Sequence, residues 1–145
     1  GEEKRLGLGD VWSAAQQAQI GKSIFDSHCG MLPATAVVAM SNAQRARDAI
    51  MADRMLSLPT GRAIAILGRE HVRKDLAVPL YLQRRAPERT VLSIGLIETA
   101  DGSIPEKYNL TDSDEPYDYI VMAKAVDRPD DPCEGMILPK NSSAP

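Results

Sequence analysis

The stretch between residues 61 and 98 constrains the fold of this chain more than any other. Two short apolar runs, residues 63–67 and 91–97, lie on either side of a polar segment. Runs of this length, rich in aliphatic and β-branched residues, are typical of buried strands. Between them, apolar residues from Val72 to Leu80 recur at helical spacing among charged ones, which indicates a helix with one apolar stripe. The pattern predicts a right-handed βαβ crossover over residues 61–98 with parallel strands.

Further elements complete an α/β fold. Residues 117–126 alternate and are largely apolar, and we expect them to form a third strand. The sheet is then small, mostly parallel and three-stranded, with helices flanking it. The most regular helix is predicted for residues 34–57, and another follows Asp10, which can serve as an N-cap. Pro79 disfavours helical geometry at Val78, so we expect two short helical pieces in the crossover instead of one rod.

Composition divides the chain into three parts. Residues 1–10 contain three glycines and mixed charge, which is typical of a flexible arm, and residues 127–145 predict an irregular, Pro-rich tail. Residues 11–126 are long enough for a single α/β domain with its own core. The formal net charge of -3 argues against a nucleic-acid-binding protein, which needs a basic surface.

The reactive side chains are concentrated at the turn after the first predicted strand. Gly68, Arg69, Glu70, His71 and Arg73 lie close together in the sequence. In an open α/β sheet this carboxyl edge is where ligands bind, because the following helix directs its amide donors into the crevice. We therefore expect an imidazole and two guanidinium groups to share one binding site.

A second set of polar residues lies on the predicted helix over residues 34–57. Gln44, Arg47, Asp48 and Met51 are three and four positions apart, so they share one arc of the helix. Such an arc is often a solvated face. The alternative is an amide, a guanidinium and a carboxylate that project toward a pocket, where Arg47 can bind a ligand carboxylate through two parallel hydrogen bonds.

Four segments of the sequence resemble one known family, the ChaN-like haem-binding proteins of the Tiki superfamily. The family's G-x-x-H element corresponds to Gly68 and His71 and is followed here by VRKDLAVPLYL. The other three matches are SHCGMLP at 27–33, AQRARDAIMA at 43–52, and the late pair PYDYIVM at 116–122 with DPCE at 131–134. Such proteins are about twice as long as this chain, and the resemblance covers the carboxyl-terminal half of the family's fold.

The resemblance implies a non-catalytic haem-binding protein of bacterial iron and haem acquisition. It places the protein in the cell envelope, periplasmic or attached to the membrane through a lipid anchor outside this chain. Haem needs an axial ligand, an apolar slot and cations for its propionates. His71 and Tyr81 are the candidate iron ligands, and the residues do not decide between them. The other candidate haem contacts are Gln44, Arg47, Arg69 and Arg73.

The two cysteines are consistent with one disulfide or with two free thiols. The envelope location that the resemblance implies favours a bridge between Cys29 and Cys133, since disulfides persist in oxidising compartments. A zinc site built from both cysteines and both histidines is conceivable but would be unusual.

An alternative function also comes from the resemblance. The wider superfamily includes proteases that look metal-dependent, so the chain could be a fragment of a Tiki-like peptidase or hydrolase that uses zinc or another divalent metal. Catalytic zinc needs about three protein ligands, of which His71 and Glu70 would supply a part. In either interpretation we expect a second protomer or the missing amino-terminal half to complete the site.

Overall fold

The computed structural model describes residues 1–10, 12–103, 116–126 and 133–134. Within these ranges the chain forms helices at its amino-terminal side and a small sheet at its carboxyl-terminal side. The helices are α1 (Glu2–Leu6), α2 (Ala14–Ser27), α3 (Ala34–Leu56) and α4 (Val78–Arg85), with a 3-10 turn at Arg69–Val72, and the strands are β1 (Ile94–Thr99) and β2 (Tyr119–Lys124). No helix in these ranges is long and apolar enough to cross a membrane.

Local sequence signals explain where α2 begins. The Ser13 hydroxyl accepts a hydrogen bond from the Gln16 amide, and the Gln16 side chain accepts one from the Ser13 amide, each at 3.1 Å. This capping box satisfies two of the donors that a helix start leaves open. The sequence analysis placed the N-cap at Asp10, whose carboxylate instead accepts from Arg84 at 3.4 Å.

The first core cluster joins three helices. Ala49 and Ala52 of α3 are fully buried, and they pack with Val78, Tyr81 and Leu82 of α4. Leu6 of α1 is buried in the same cluster. Residues 1–10, which the sequence analysis treated as an arm, therefore contain a short helix that is docked on α3.

The second core cluster lies between α2 and the start of α4. Trp12, Ile20, Ile24 and Leu76 are buried together. The guanidinium of Arg45 lies 4.4 Å from the centre of the Trp12 ring, within the range of a cation–π interaction. This contact ties the middle of α3 to the segment before α2.

The prediction of a three-stranded sheet is wrong, although the fold does mix helices and strands. The described residues contain one sheet of two parallel strands, β1 and β2. Gly95 in β1 lies against the ring of Tyr117, where a Cβ atom would come within 2.8 Å of the ring. A larger residue at this position would displace either the ring or the strand.

The missing strand is the first one of the predicted crossover over residues 61–98. Residues 63–67 form no backbone hydrogen bond with any other described residue. Ile64 and Ile66 are 97% and 93% exposed. A strand exists only through pairing with a neighbour, and the apolar pattern of residues 63–67 does not supply that neighbour. The crossover therefore retains its helical part and its second strand.

The helical part of the crossover has the predicted two pieces, with a different role for the proline. The 3-10 turn at Arg69–Val72 comes first and α4 follows after a short gap. Pro79 lies in the first turn of α4, where the missing amide donor costs nothing because no helical acceptor exists there. Pro79 therefore lies at the start of α4 and does not introduce a kink within a longer helix.

The packing of α4 on α3 gives the first prediction. Ala52→Leu should lower the free energy of unfolding by about 1–3 kcal/mol, because the fully buried site has no room for three more carbon atoms. Ala39→Leu is the matched control, since Ala39 lies exposed on the same helix. Urea denaturation of both variants measures the difference. Equal stability of the two variants would contradict the packing described here.

Candidate functional site

The central contact of the site joins His71 to Asp48. The 3-10 turn places the imidazole against α3, where Nδ1 lies 2.6 Å from the Asp48 Oδ1 atom. The Asp48 side chain is 1% exposed and that of His71 is 19% exposed. A buried carboxylate is rarely left without a partner. The two side chains therefore fix each other, and through them α3 fixes the turn.

A second contact to His71 comes from Gln44, one turn before Asp48 on α3. The Gln44 Oε1 atom accepts a hydrogen bond from Nη1 of Arg47 at 3.1 Å. Because a guanidinium can only donate, this bond orients the amide of Gln44 so that its Nε2 faces the imidazole. That nitrogen lies 3.2 Å from His71 Nε2 and 3.0 Å from Nδ1.

The contact with Asp48 selects one tautomer of the neutral imidazole. An ionised Asp48 can only accept a hydrogen bond, so Nδ1 of His71 must carry the proton and donate it to Asp48. The Gln44 nitrogen is about equally far from the two ring nitrogens, which places it against the face of the ring and off the electron pair of Nε2. Nε2 is then the nitrogen with a free electron pair, which is the arrangement found in histidines that bind metals.

Burial changes the acidity of Asp48. Desolvation raises the pKa of the carboxyl group to about 6, and the hydrogen bond from His71 and the charge of Arg47 act in the opposite direction. The carboxylate form, which can hold the imidazole in the tautomer derived above, is therefore predominant above about pH 6.

An apolar cavity of about 500 Å³ lies beside His71. This volume falls within the range of small-molecule sites. The unpaired segment at residues 63–67 forms part of its lining, and Arg89 is the one arginine or lysine among its described lining residues. The main apolar walls are Met55, Leu56, Leu67, Val72, Val78, Leu82 and Val91.

A second cavity of about 470 Å³ lies on the side of Gln44 and Asp48, and we call it the polar cavity because charged and polar side chains make up much of its lining. Its apolar wall comes from α2 and Leu76. His28 also lines it, and the Nδ1 atom of this imidazole lies 2.7 Å from the carbonyl oxygen of Ile24. The charged side chains around the cavity are Arg47, Asp48, Glu70 and Arg73.

The three candidate arginines have different surroundings. Arg73 is held by Asp75 through two hydrogen bonds of 3.0 and 2.7 Å. Arg69 is half-exposed and lies 3.3 Å from Glu70. Among the residues that the structure describes, no carboxylate forms an ion pair with Arg47. Of the three, Arg47 is therefore the guanidinium best able to accept a carboxylate from a ligand.

Tyr81 lies apart from this network. Its side chain is 1% exposed in the cluster between α1, α3 and α4, and it lines neither of the two cavities. Burial raises the pKa of the phenol, against the opposing influence of Arg45. The structure thus brings Gln44, Arg47 and His71 together and places Tyr81 in the core.

The cysteines form a disulfide in the structure. Cys29 and Cys133 have their Cα atoms 5.6 Å apart and their sulfurs bonded, so neither sulfur is free to bind zinc together with the histidines. Cys29 has a φ of 61° and occupies the left-handed position that ends α2. Within the described ranges, no three His, Cys, Asp or Glu side chains are grouped as metal ligands.

The pairing of Asp48 with His71 was not predicted from the sequence. The predicted arc on α3 includes Asp48 beside Gln44 and Arg47, but it does not indicate which side chain Asp48 contacts. One feature of the sequence could have suggested this pairing. Asp48 lies one helical turn after Gln44, on a helix that must pack against the crossover. The apolar walls contributed by Met55 and Val78 were also missed, since their periodicity indicates only a core.

The described residues present an oriented imidazole next to an apolar cavity, an arrangement suited to binding an apolar ligand with an electrophilic centre. A family model described as haem-binding uptake, Tiki superfamily, ChaN, matches residues 2–82. The match spans more than half of the chain and includes the whole network from Gln44 to His71, so the chain belongs to this family. No curated protein and no solved structure matches the chain.

The raised pKa of Asp48 predicts a pH dependence of stability. The folded chain binds this proton up to about pH 6, whereas the unfolded chain releases it near 3.8. The stability that protonation confers is present below pH 3.8 and is lost as the pH rises through 6. Relative to Asp48→Asn, which keeps the shape and an acceptor for His71, the free energy of unfolding should fall by about 3 kcal/mol over this range.

Urea denaturation of both proteins at intervals between pH 4 and pH 7 measures this difference. Because the titrating groups that are remote from Asp48 are common to the two chains, their contributions cancel. Two curves that stay parallel over the whole range would contradict a raised pKa at Asp48.

Proposed function

We propose that this chain binds haem as the cargo of bacterial iron and haem acquisition, without catalysing a reaction, and that His71 Nε2 is the iron ligand. The observation that carries the proposal is the imidazole that borders an apolar cavity with Nδ1 bonded to a buried carboxylate. Haem supplies an iron atom with an open axial position and a flat apolar ring. The family description, haem-binding uptake, supports the same ligand.

The carboxylate behind the imidazole supports its role as a ligand. A hydrogen bond from Nδ1 to a carboxylate fixes the ring orientation and raises the basicity of Nε2. Asp48 is 1% exposed and held on the rigid helix α3, so the imidazole needs little reorganisation before it binds a metal. Such pre-organisation lowers the cost of binding.

The cavity and its charges also suit the ligand. The walls beside His71 are mostly aliphatic, as an apolar macrocycle requires. Arg89 in this cavity and Arg47 in the neighbouring polar cavity are available for the carboxylates of the ligand. Tyr81 is 1% exposed and lines neither cavity, so iron could reach its hydroxyl only if the surrounding core opened, and we propose His71 instead.

We infer that a further protein surface completes the site. Large apolar residues of the sheet, of the segment before β1 and of the unpaired segment at residues 63–67 are exposed to an extent that is unusual in a soluble monomer. Ile64, Leu92 and Ile94 among them border the proposed haem cavity. A second protomer or an amino-terminal half of the same protein would cover these residues. The exposed apolar residues are Ile64, Ile66, Leu92, Ile94, Leu96, Tyr119 and Val121.

We propose a location in the bacterial cell envelope, either periplasmic or lipid-anchored. The support is the disulfide between Cys29 and Cys133, because bridges of this kind persist in oxidising compartments.

Titration with hemin, followed by the Soret band, tests the function. His71→Ala should weaken hemin binding at least about tenfold, because it removes the proposed axial ligand. His28→Ala is the matched control, since His28 is the other of the two histidines in the chain and does not line the apolar cavity. We expect it to bind hemin like the unchanged protein.

Tyr81→Phe separates the two candidate ligands. It should leave the hemin spectrum and affinity unchanged, because the phenol is buried away from both cavities. Loss of binding in Tyr81→Phe together with normal binding in His71→Ala would overturn the assignment. Equally weak hemin binding by the unchanged protein and by all three variants would overturn the proposed function itself.

A further inference from the structure

We propose that the haem site continues past His71 along the outward face of β1, so that the macrocycle lies on Ile94 and Leu96, and that Gly68 leaves the room for it beside the imidazole. The inference rests on the proposed function, with His71 as the iron ligand, and deepens it by adding contact residues outside the apolar cavity. The protein surface that completes the site would then cover the rest of the exposed face.

A histidine that binds haem iron needs apolar space on both sides of itself. The iron lies at the centre of the macrocycle, so the ring extends in every direction from the nitrogen that binds the iron. The apolar cavity beside His71 can receive only the part of the ring on its own side. A second surface must therefore receive the remainder.

An outer hollow of about 530 Å³ supplies the second surface. His71 lines both this hollow and the apolar cavity, so the imidazole lies at the boundary between the two spaces. The described lining of the outer hollow consists of Gly68, Arg69, Glu70, His71, Leu96 and Glu98.

Strand β1 connects the two spaces. Ile94 lines the apolar cavity, whereas Leu96 and Glu98 line the outer hollow. Side chains at every second position of a strand lie on the same face, and four residues span about 13 Å. The residues between them, Gly95 and Ile97, are buried on the opposite face. Ile94 and Leu96 are 44% and 66% exposed, so they form one apolar strip from the cavity into the hollow.

Gly68 leaves the free edge of the imidazole open. Nδ1 of His71 faces Asp48, so the opposite edge of the ring, the Cδ2–Nε2 bond, points away from α3. A Cβ atom at position 68 would lie 3.7 Å from this Cδ2 atom, which is ordinary contact. The φ of Gly68 is -58°, a value that any residue adopts. The glycine therefore serves to provide space, because a branched side chain would bring further carbon atoms to the edge that carries Nε2.

The charges of the outer hollow orient the macrocycle. Its described lining includes two carboxylates, Glu70 and Glu98, and one arginine, Arg69, which already lies 3.3 Å from Glu70. The negative charge of the hollow repels the propionates of haem, whereas Arg89 in the apolar cavity attracts them. The propionate edge therefore lies toward Arg89, and the apolar edge lies over Leu96.

Leu96→Ser tests the contact with the macrocycle, and absorbance titration with metal-free protoporphyrin IX measures it without an iron ligand. The variant should bind this porphyrin about fivefold more weakly, because an apolar contact is lost. Val121→Ser is the matched control and should bind it like the unchanged protein. Val121 pairs with Leu96 in the sheet, is 51% exposed, and lines neither the apolar cavity nor the outer hollow.

A series at position 68 tests the access to iron. Gly68→Ala should bind hemin like the unchanged protein, since its Cβ atom fits. Gly68→Val should bind hemin at least about tenfold more weakly, because it covers the edge that the iron must reach. Nitrogen spectra of the imidazole should still show the proton on Nδ1 in Gly68→Val, which excludes a broken contact with Asp48. Gly9→Val is the control, because an added Cβ atom at Gly9 meets no atom within 4 Å.

The outcomes separate this inference from the proposed function. Equal binding of protoporphyrin by Leu96→Ser and Val121→Ser overturns the contact with β1, even if hemin binds through His71. Normal hemin binding by Gly68→Val overturns the role of the glycine. A selective loss in Leu96→Ser together with normal hemin binding by His71→Ala would retain the contact and reject His71 as the ligand. An unchanged protein that binds neither porphyrin would overturn both proposals.

Discussion

The hydrogen bond between Asp48 and His71 is the interaction on which the site depends. Asp48 is 1% exposed, and a carboxylate in that position is costly unless it is paired. Its partner lies 23 residues further along the chain, in the turn that starts the crossover. The bond therefore does two things at once, because it fixes the turn against α3 and it orients the imidazole beside the apolar cavity. Gln44, which accepts a hydrogen bond from Arg47, contacts an imidazole ring that Asp48 already holds in place.

The family and much of the site were predictable from the sequence. The G-x-x-H element and the arc of α3 pointed to His71, Gln44 and Arg47, and the family match confirmed the resemblance. Both patterns are local, with spacings that a single turn or helix face imposes. The pairing of Asp48 with His71 was not predictable in the same way, because it depends on how two distant segments pack. Tyr81 shows the same limit, since helical spacing does not tell a core residue from a pocket residue.

The sheet shows why a correct local pattern can still predict the wrong structure. Residues 63–67 have the composition of a buried strand, and the two isoleucines in this segment are almost fully exposed. An apolar sequence pattern indicates that a segment is to be buried. It does not indicate which neighbouring strand supplies the hydrogen bonds. Where the neighbour is not among the described residues, the same pattern gives an extended segment with unpaired backbone groups. The same segment lines the apolar cavity next to His71, so the missing neighbour concerns the site as well as the fold.

Iron can bind His71 in the proposed way only if the Nε2 atom carries the free electron pair. Long-range proton–nitrogen correlation spectra of the imidazole at neutral pH measure this directly in the ligand-free protein. We expect a protonated Nδ1 and an unprotonated Nε2 at His71, and we expect this preference to weaken in Asp48→Asn. A proton on Nε2 in the unchanged protein would contradict the assignment of this atom as the iron ligand, because a protonated nitrogen has no free electron pair for a metal.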